Sequence, residues 1–214
     1  MLRSMIKLAL VIFFFAISIN SQTITSYGLK LGSEASNPIW KVGSQSFDGV
    51  ETKLGIDVGL FIEWGLTTDA SFLTEMHYIQ KGLRFYQPAV QFYANTTDFS
   101  VTLNSITPIV NYLSFPLLIK YDLIHSDVVP YIICGLRVDF ALSKNEIQEA
   151  RWLYKDVNKV DLGGCIGVGF QTKALLGFGT GLELKYSPSF TKVSSSLEGD
   201  ITNRSFEINL ILYR

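Results

Sequence analysis

Residues 54–65 read LGIDVGLFIEWG, and every even position in this stretch carries a large apolar residue. The odd positions carry glycines and carboxylates, with Phe61 as the one exception. Successive side chains of a β-strand point to opposite sides, so a period of two over these twelve residues predicts a strand. One face of that strand is apolar and the other is small and acidic.

The same alternation recurs along the chain and predicts eight strands in all. Several of them reach ten residues or more. That is longer than the roughly 5 to 6 residues of a typical globular strand and close to the roughly 9 to 11 that cross a bilayer at a tilt. Strand length therefore favours a membrane. The other seven segments are 27–32, 72–81, 112–121, 131–140, 160–171, 176–186 and 206–213.

The connections between these segments alternate strictly between short and long. In an up-and-down barrel this alternation places all short turns at one rim and all long loops at the other, as in bacterial outer-membrane barrels. The sequence therefore predicts an all-β fold, an eight-stranded antiparallel up-and-down transmembrane β-barrel of the smallest class. The short links are 66–69, 122–127 and 172–174, and the long ones are 33–49, 82–106, 141–159 and 191–203.

The polar face argues against a soluble barrel, because it is rich in glycine with only scattered charges of both signs. A face that meets water would carry many Lys and Glu residues, whereas small residues suit the crowded interior of eight strands. A soluble periplasmic lipocalin-like binding barrel is the alternative fold. Aromatic residues near strand ends on the apolar face agree with interfacial girdles, namely Trp64, Tyr78, Tyr121, Phe170 and Tyr186.

The first residues resemble an export signal. Arg3 and Lys7 form a positive region before an almost continuous apolar stretch over 8–19, and Asn20 and Ser21 follow it. Twelve apolar residues fall short of the roughly 20 that span a bilayer as a helix. We therefore expect a cleaved signal peptide over 1–21, a barrel domain over 22–214, and delivery to the outer membrane of a Gram-negative bacterium.

Composition and motifs exclude several kinds of site. A net charge of −1 without a basic stripe excludes nucleic-acid binding. Cys134 and Cys165 fall on opposite faces of neighbouring predicted strands, so we expect two unpaired cysteines. No Cys/His spacing indicates zinc, and the glycines of 163–169 lie inside a strand rather than in a phosphate-binding loop. We expect no cofactor, no metal and no catalytic residue.

Four segments resemble a known family. Residues 111–121 (NYLSFPLLIKY) and 74–82 (TEMHYIQKG) are similar to the "YLxIPLLxKY" and "ELxYxQKG" strands of the PorT-like outer-membrane β-barrel proteins. Residues 130–135 and 161–169 are similar to that family's glycine-rich fifth and sixth strands. The resemblance implies an outer-membrane barrel of about eight strands, without enzymatic activity, in a family with one branch linked to protein secretion. The chain departs from common barrels at its end, where Arg214 follows Tyr213.

Charged residues on the polar face predict a buried network that neutralises itself across the lumen. Its residues are Asp57, Glu63, Glu75, His77, Lys81, Lys120, Arg137, Asp139, Asp161, Glu183, Lys185 and Glu207. The alternative is a lipid A-modifying barrel enzyme built on His77, which requires an inward Ser or Asp neighbour that faces lipid at the outer rim. His125 lies in a short polar turn beside Ser126 and Asp127, where such residues are expected in any case.

The long link 82–106 carries Phe85, Tyr86, Phe92, Tyr93 and Phe99. These aromatics either bind a partner, a glycan or lipopolysaccharide, or belong to strands that continue beyond the membrane. We expect a monomer with a structural, surface-binding or secretion-associated role. Its partners are the outer-membrane lipid bilayer and, through the long loops, envelope or secretion proteins.

Overall fold

The structure is a computed structural model that describes residues 23–42, 45–46, 51–92, 99–145, 158–173, 177–196 and 199–214. The predicted signal peptide lies outside these residues. The described part of the chain forms fourteen strands, in chain order β1 Ile24–Ser36, β2 Ile39–Val42, β3 Gln45–Ser46, β4 Lys53–Gly65, β5 Ala70–Gly82, β6 Phe85–Phe92, β7 Phe99–Ile106, β8 Ile109–Asp122, β9 Val128–Lys144, β10 Val160–Lys173, β11 Gly179–Pro188, β12 Ser194–Ser196, β13 Gly199–Thr202 and β14 Arg204–Tyr213.

Eight of these strands close into a barrel in the order β1-β14-β11-β10-β9-β8-β5-β4, with antiparallel neighbours throughout. The first and last strands close the ring, since Leu31 pairs with Leu210 of β14 on one side and with Val58 of β4 on the other. The predicted eight-stranded antiparallel barrel is confirmed. Among the described residues no helix is long and apolar enough to cross a membrane.

The two faces of the strands separate by polarity as the alternation predicts. On β4, Ile56 is 54% exposed and Leu60 is 49% exposed on the outside, whereas Asp57 is fully buried inside. The predicted placement of the cysteines is also confirmed. Cys134 is exposed on the outer face of β9, and Cys165 is buried on the inner face of β10. An eight-stranded barrel therefore presents an apolar belt outward and a polar interior.

Three of the long links contain strands of their own. β6 pairs with β7 as a hairpin between β5 and β8. Segments from two further links form a four-stranded sheet in the order β12-β13-β2-β3. We call β2, β3, β6, β7, β12 and β13 the platform. One of the two alternatives for 82–106 was strands that continue beyond the membrane, and β6 and β7 are such strands. Tyr93 lies outside the described residues.

An apolar cluster joins the platform to the barrel rim. Backbone bonds between Glu51 and Arg84 tie two of the long links together, and Asn158 donates its amide N–H to the carbonyl of Val193 at 2.7 Å. The long links are therefore packed on one another at the mouth of the barrel. The buried members of the cluster are Leu83, Ile106, Val110, Tyr112, Val193 and Ile201, with Trp40, Phe85 and Ala141 packed against them.

The observed strands begin or end at other residues than predicted, and in two of them a local cause is visible. The first strand, predicted over 27–32, runs from Ile24 to Ser36. Its outer half alternates less clearly because Ser33 and Ala35 replace large apolar residues on the outer face. The strand predicted from Leu176 begins at Gly179, after a turn in which Gly177 adopts φ of 81°, a conformation that favours glycine.

Candidate functional site: the barrel interior

A first group of interior side chains lies at the short-turn end and is centred on Glu63. Lys120 donates from Nζ to Glu63 Oε1 at 2.9 Å and to Gln171 Oε1 at 2.6 Å. Ser26 and Ser71 donate their hydroxyls to the two oxygens of the same carboxylate, at 2.9 and 2.6 Å. We call this set the lower cluster. Every charge in it is compensated, as buried charges require.

A layer of apolar side chains covers the lower cluster on its inner side. The Nζ of Lys120 lies 4.9 Å from the centre of the Tyr131 ring, and the Nζ of Lys30 lies 5.5 Å from the centre of the Phe61 ring. The layer therefore separates the lower cluster from the next group of charges. Its buried members are Phe61, Leu73, Leu118, Tyr131, Ile133, Cys165 and Ile211.

The central cluster is built around two lysines. Lys30 donates to Glu75 Oε1 and to Glu183 Oε1, both at 2.6 Å. Lys185 lies 3.0 Å from Glu207 Oε2, 3.4 Å from Glu75 Oε2 and 3.7 Å from Glu183 Oε1. All five side chains are buried. Two cations thus share three carboxylates in a space without water access.

His77 lies at the edge of the central cluster between two carboxylates. Its Nδ1 is 2.5 Å from Asp57 Oδ1 and its Nε2 is 3.0 Å from Glu75 Oε2. An ionised carboxylate can only accept a hydrogen bond. The ring therefore donates to both carboxylates when both of its nitrogens carry a proton. Asn209 donates to the other Asp57 oxygen at 2.9 Å. Gly59 leaves room for the ring, because a Cβ there would lie 2.5 Å from Nδ1.

The upper cluster occupies the end of the lumen below the platform. Asp139 accepts from Lys81 at 2.7 Å, from Arg137 Nη1 at 2.6 Å and from the Ser114 hydroxyl at 2.5 Å. Asp161 accepts at 2.6 Å from the hydroxyl of Ser189 and at 2.7 Å from that of Thr191. Residues from four strands and a link converge here. The upper cluster therefore ties distant parts of the chain together.

The structure brings together all twelve charged residues that the alternation places on the inner face. The lower cluster holds Glu63 and Lys120; the central cluster holds Asp57, Glu75, His77, Glu183, Lys185 and Glu207; and the upper cluster holds Lys81, Arg137, Asp139 and Asp161. All twelve are buried. Whether their role is purely structural stays a prediction.

The sequence interpretation missed two buried charges of the first strand. Lys30 is the centre of the ion-pair network, and Glu34 is fully buried near the long-loop end. Lys30 falls on the polar face of the predicted strand, so the alternation gave the signal. Glu34 lies beyond Gly32, where that strand was predicted to end. With both included, these interior residues comprise eight carboxylates, five Lys or Arg side chains and His77.

The interior contains residue types that hydrolytic enzymes use, but they are buried. His77 contacts Asp57 as the base of a triad contacts its orienting carboxylate, and Ser114 is the register partner of His77 on β8. The Ser114 hydroxyl, however, donates to Asp139, and all four side chains are buried. A nucleophile must be held by its base and must reach a substrate. Among the described residues no group of His, Cys, Asp and Glu is arranged to hold a metal ion.

Comparison with known proteins identifies a family. A model described as outer membrane protein beta-barrel domain matches residues 19–195. No curated protein matches the chain. Among solved structures, Ail, the attachment invasion locus protein of Yersinia pestis, is 13% identical with a TM-score of 0.43, over 88% of this chain and 98% of that chain. OprG from Pseudomonas aeruginosa is 10% identical with a TM-score of 0.46, over 88% of this chain and 93% of that chain.

Proposed function

The chain belongs to the outer membrane protein beta-barrel domain family, and from this premise we propose that it is a sealed, non-enzymatic barrel that presents its platform at the cell surface. In this proposal the short-turn rim faces the periplasm and the platform faces outward. Its role is structural, surface-binding or secretion-associated, and it acts as a monomer delivered by a cleaved signal peptide. The segments that resemble PorT-like proteins support placing the chain in the PorT-like branch of this family. They also support a Gram-negative bacterium as its source.

The observation that carries this proposal is the filled lumen. Three charged clusters and the apolar layer between two of them occupy the interior from one rim to the other. An eight-stranded barrel is just wide enough for its side chains to fill it. Diffusion of a solute through such an interior requires breaking several buried ion pairs. The part of the molecule left to meet partners is the platform.

The filled lumen is tested by conductance. We expect the refolded protein to give no step conductance in a planar bilayer at neutral pH. A variant that thins the layer, Phe61→Ala with Leu118→Ala, serves as the comparison, because it removes two large buried side chains of that layer. Reproducible openings of the unmodified protein would contradict a sealed barrel and favour a narrow pore.

The surface role is tested by removing the hairpin. In one variant a short Gly-Ser turn replaces residues 85–106, and in a matched control a similar turn replaces 123–127 at the opposite rim. Both should migrate faster unboiled than boiled on gels, which reports a closed barrel. Crosslinking in intact cells should then lose envelope partners only in the hairpin variant. Equal crosslinking in both variants would refute a platform role.

An enzymatic role is the second candidate, and His77 with Asp57 at 2.5 Å is the observation that favours it. The burial of both residues supports the non-enzymatic proposal, because a lipid substrate has no route to them. Acyl-chain release or transfer from lipid A by the purified barrel, lost in His77→Gln, would overturn the proposal.

A further inference from the structure

A groove of about 760 Å³ runs obliquely over the lipid-facing surface of the barrel. It lies between two rows of outward side chains. The upper row runs from Leu54 on β4 to Ile119 on β8, and each residue in it is the register partner of the next. The lower row starts at Ser33 on β1 and ends at Tyr121 on β8. The groove therefore follows the hydrogen-bonding direction of the sheet.

The groove reaches from one rim to the other. It crosses seven of the eight barrel strands, and six spacings of about 4.8 Å give a length of about 29 Å. Leu54 is the second residue of β4, at the long-loop end, and Tyr121 is the next-to-last residue of β8, at the short-turn end. The end of the groove at Tyr121 therefore lies at the short-turn rim.

Residue size explains why the surface is furrowed here. Ala35 and Cys134 are small members of the upper row, and Gly167 leaves the floor without a side chain. Between them, the rings of Tyr186 and Phe206 pack at 4.8 Å and form a tall wall. The hydroxyl of Ser33, the smallest residue of the lower row, donates to the carbonyl of Gly55 at 2.9 Å. The groove thus offers a continuous apolar surface to its occupant.

The charge at the short-turn rim distinguishes between classes of lipid headgroup. The turns below Tyr121 carry the carboxylates of Asp69, Asp122 and Asp127. Asp69 is half exposed and pairs with His125 at 2.7 Å. Asp127 is exposed, and Asp122 is partly buried, 3.4 Å from the Nζ of Lys120. Carboxylates concentrated at a rim attract an ammonium group and repel an anionic headgroup. The apolar groove and the acidic rim meet at Tyr121.

We propose that the groove binds the acyl chain of a phospholipid with an ethanolamine headgroup, whose ammonium lies at the acidic short-turn rim. This rests on the membrane placement of the barrel, which the belt of exposed apolar side chains provides. Lipids elsewhere on the belt exchange with the bilayer along a smoother surface. The lipid in the groove gains contacts on both sides of its chain, since dispersion contacts add up atom by atom.

The test is native mass spectrometry of the detergent-purified full barrel. Phosphatidylethanolamine or phosphatidylglycerol is added to separate samples at the same small molar excess over the barrel, and the lipid retained per barrel is counted. We expect one retained phosphatidylethanolamine per barrel, and a preference over phosphatidylglycerol of about fivefold, the size of one exposed charge interaction. A filled-groove variant, Ala35→Phe with Cys134→Phe, should lose the lipid. A control, Val58→Phe with Met76→Phe, changes exposed residues outside the groove and should retain it.

Three results would overturn the inference. Equal retention in the two double variants would mean that the lipid binds anywhere on the belt. Equal or better retention of phosphatidylglycerol would remove the role of the acidic rim. A dimer that disappears when the groove is filled would make a second copy of the chain the occupant. Gel migration with and without boiling, measured on the same samples, separates these results from failure to form a barrel.

Discussion

Replacing Lys30 with Met tests the central cluster most directly. Lys30 is fully buried and its Nζ bonds both Glu75 and Glu183 at 2.6 Å. The methionine keeps the length of the side chain and removes the charge. Glu183 then keeps Lys185 at 3.7 Å and the Tyr131 hydroxyl at 2.9 Å, whereas the Lys30 contact at 2.6 Å has no replacement.

The expected loss is large because two buried carboxylates lose their nearest cation and share the one that remains. Breaking a buried pair by removing one partner costs about 3 to 5 kcal/mol. The exposed pair of Lys192 and Asp200, with side chains 56% and 40% exposed, supplies the control. Lys192→Met should cost about 1 kcal/mol or less, because solvent screens such pairs. The assay is equilibrium urea unfolding of the barrel in lipid vesicles, followed by Trp fluorescence and by gel migration.

Restoring charge balance should recover part of the loss. In Lys30→Met with Glu183→Gln, the interior loses one cation and one carboxylate together. The double variant should therefore be more stable than Lys30→Met alone, and the two substitutions should not be additive. A loss below about 1 kcal/mol for Lys30→Met, or strict additivity, would refute the argument that this lysine is held by paired charges in a dry interior.

Three further outcomes are expected. Gly59→Val should destabilise the barrel by about 1 to 3 kcal/mol because its side chain overlaps the ring of His77, and an unchanged urea midpoint would contradict the packing described here. Leu60→Arg, on the outer face, should cost about 2 to 4 kcal/mol in vesicles if that position lies near the bilayer midplane, with the urea midpoint again as the measurement. A maleimide should label Cys134 in the folded protein in detergent and leave Cys165 unmodified. Mass spectrometry that finds both thiols labelled would contradict the burial of Cys165.

Local sequence was sufficient for the barrel and for the direction of most side chains. The alternation in 54–65 fixes which residues of β4 face inward, because the period of a strand is exactly two residues. It also places Glu75, His77 and Lys81 on one face of β5. Neither inference needs a contact between distant residues. The strand count and the up-and-down order followed from the same patterns together with the link lengths.

The pairings inside the barrel could not be read in this way. Lys30 and Glu183 are 153 positions apart, and their contact depends on the register of β1, β14 and β11 together. The stagger that closes a barrel shifts each strand along its neighbour, and no local pattern encodes that shift. The four-stranded sheet of the platform was missed for a related reason. Strands as short as Ser194–Ser196 pair only because segments from separate links meet at the rim.

The charged interior also explains how such long strands keep their register. A slip of one residue exchanges the two faces of a strand, so on β4 it would turn Asp57 and Glu63 into the lipid and Ile56 and Ile62 into the lumen. Each charge on the lipid face of a barrel is penalised according to its depth, by about 2 to 4 kcal/mol for Arg or Lys at the midplane and less for Asp or Glu. The same slip would separate Lys120 from Glu63 and His77 from Asp57. Lipid outside and ion pairs inside therefore penalise the same error, and the native register is fixed although each alternating segment alone is a weak signal.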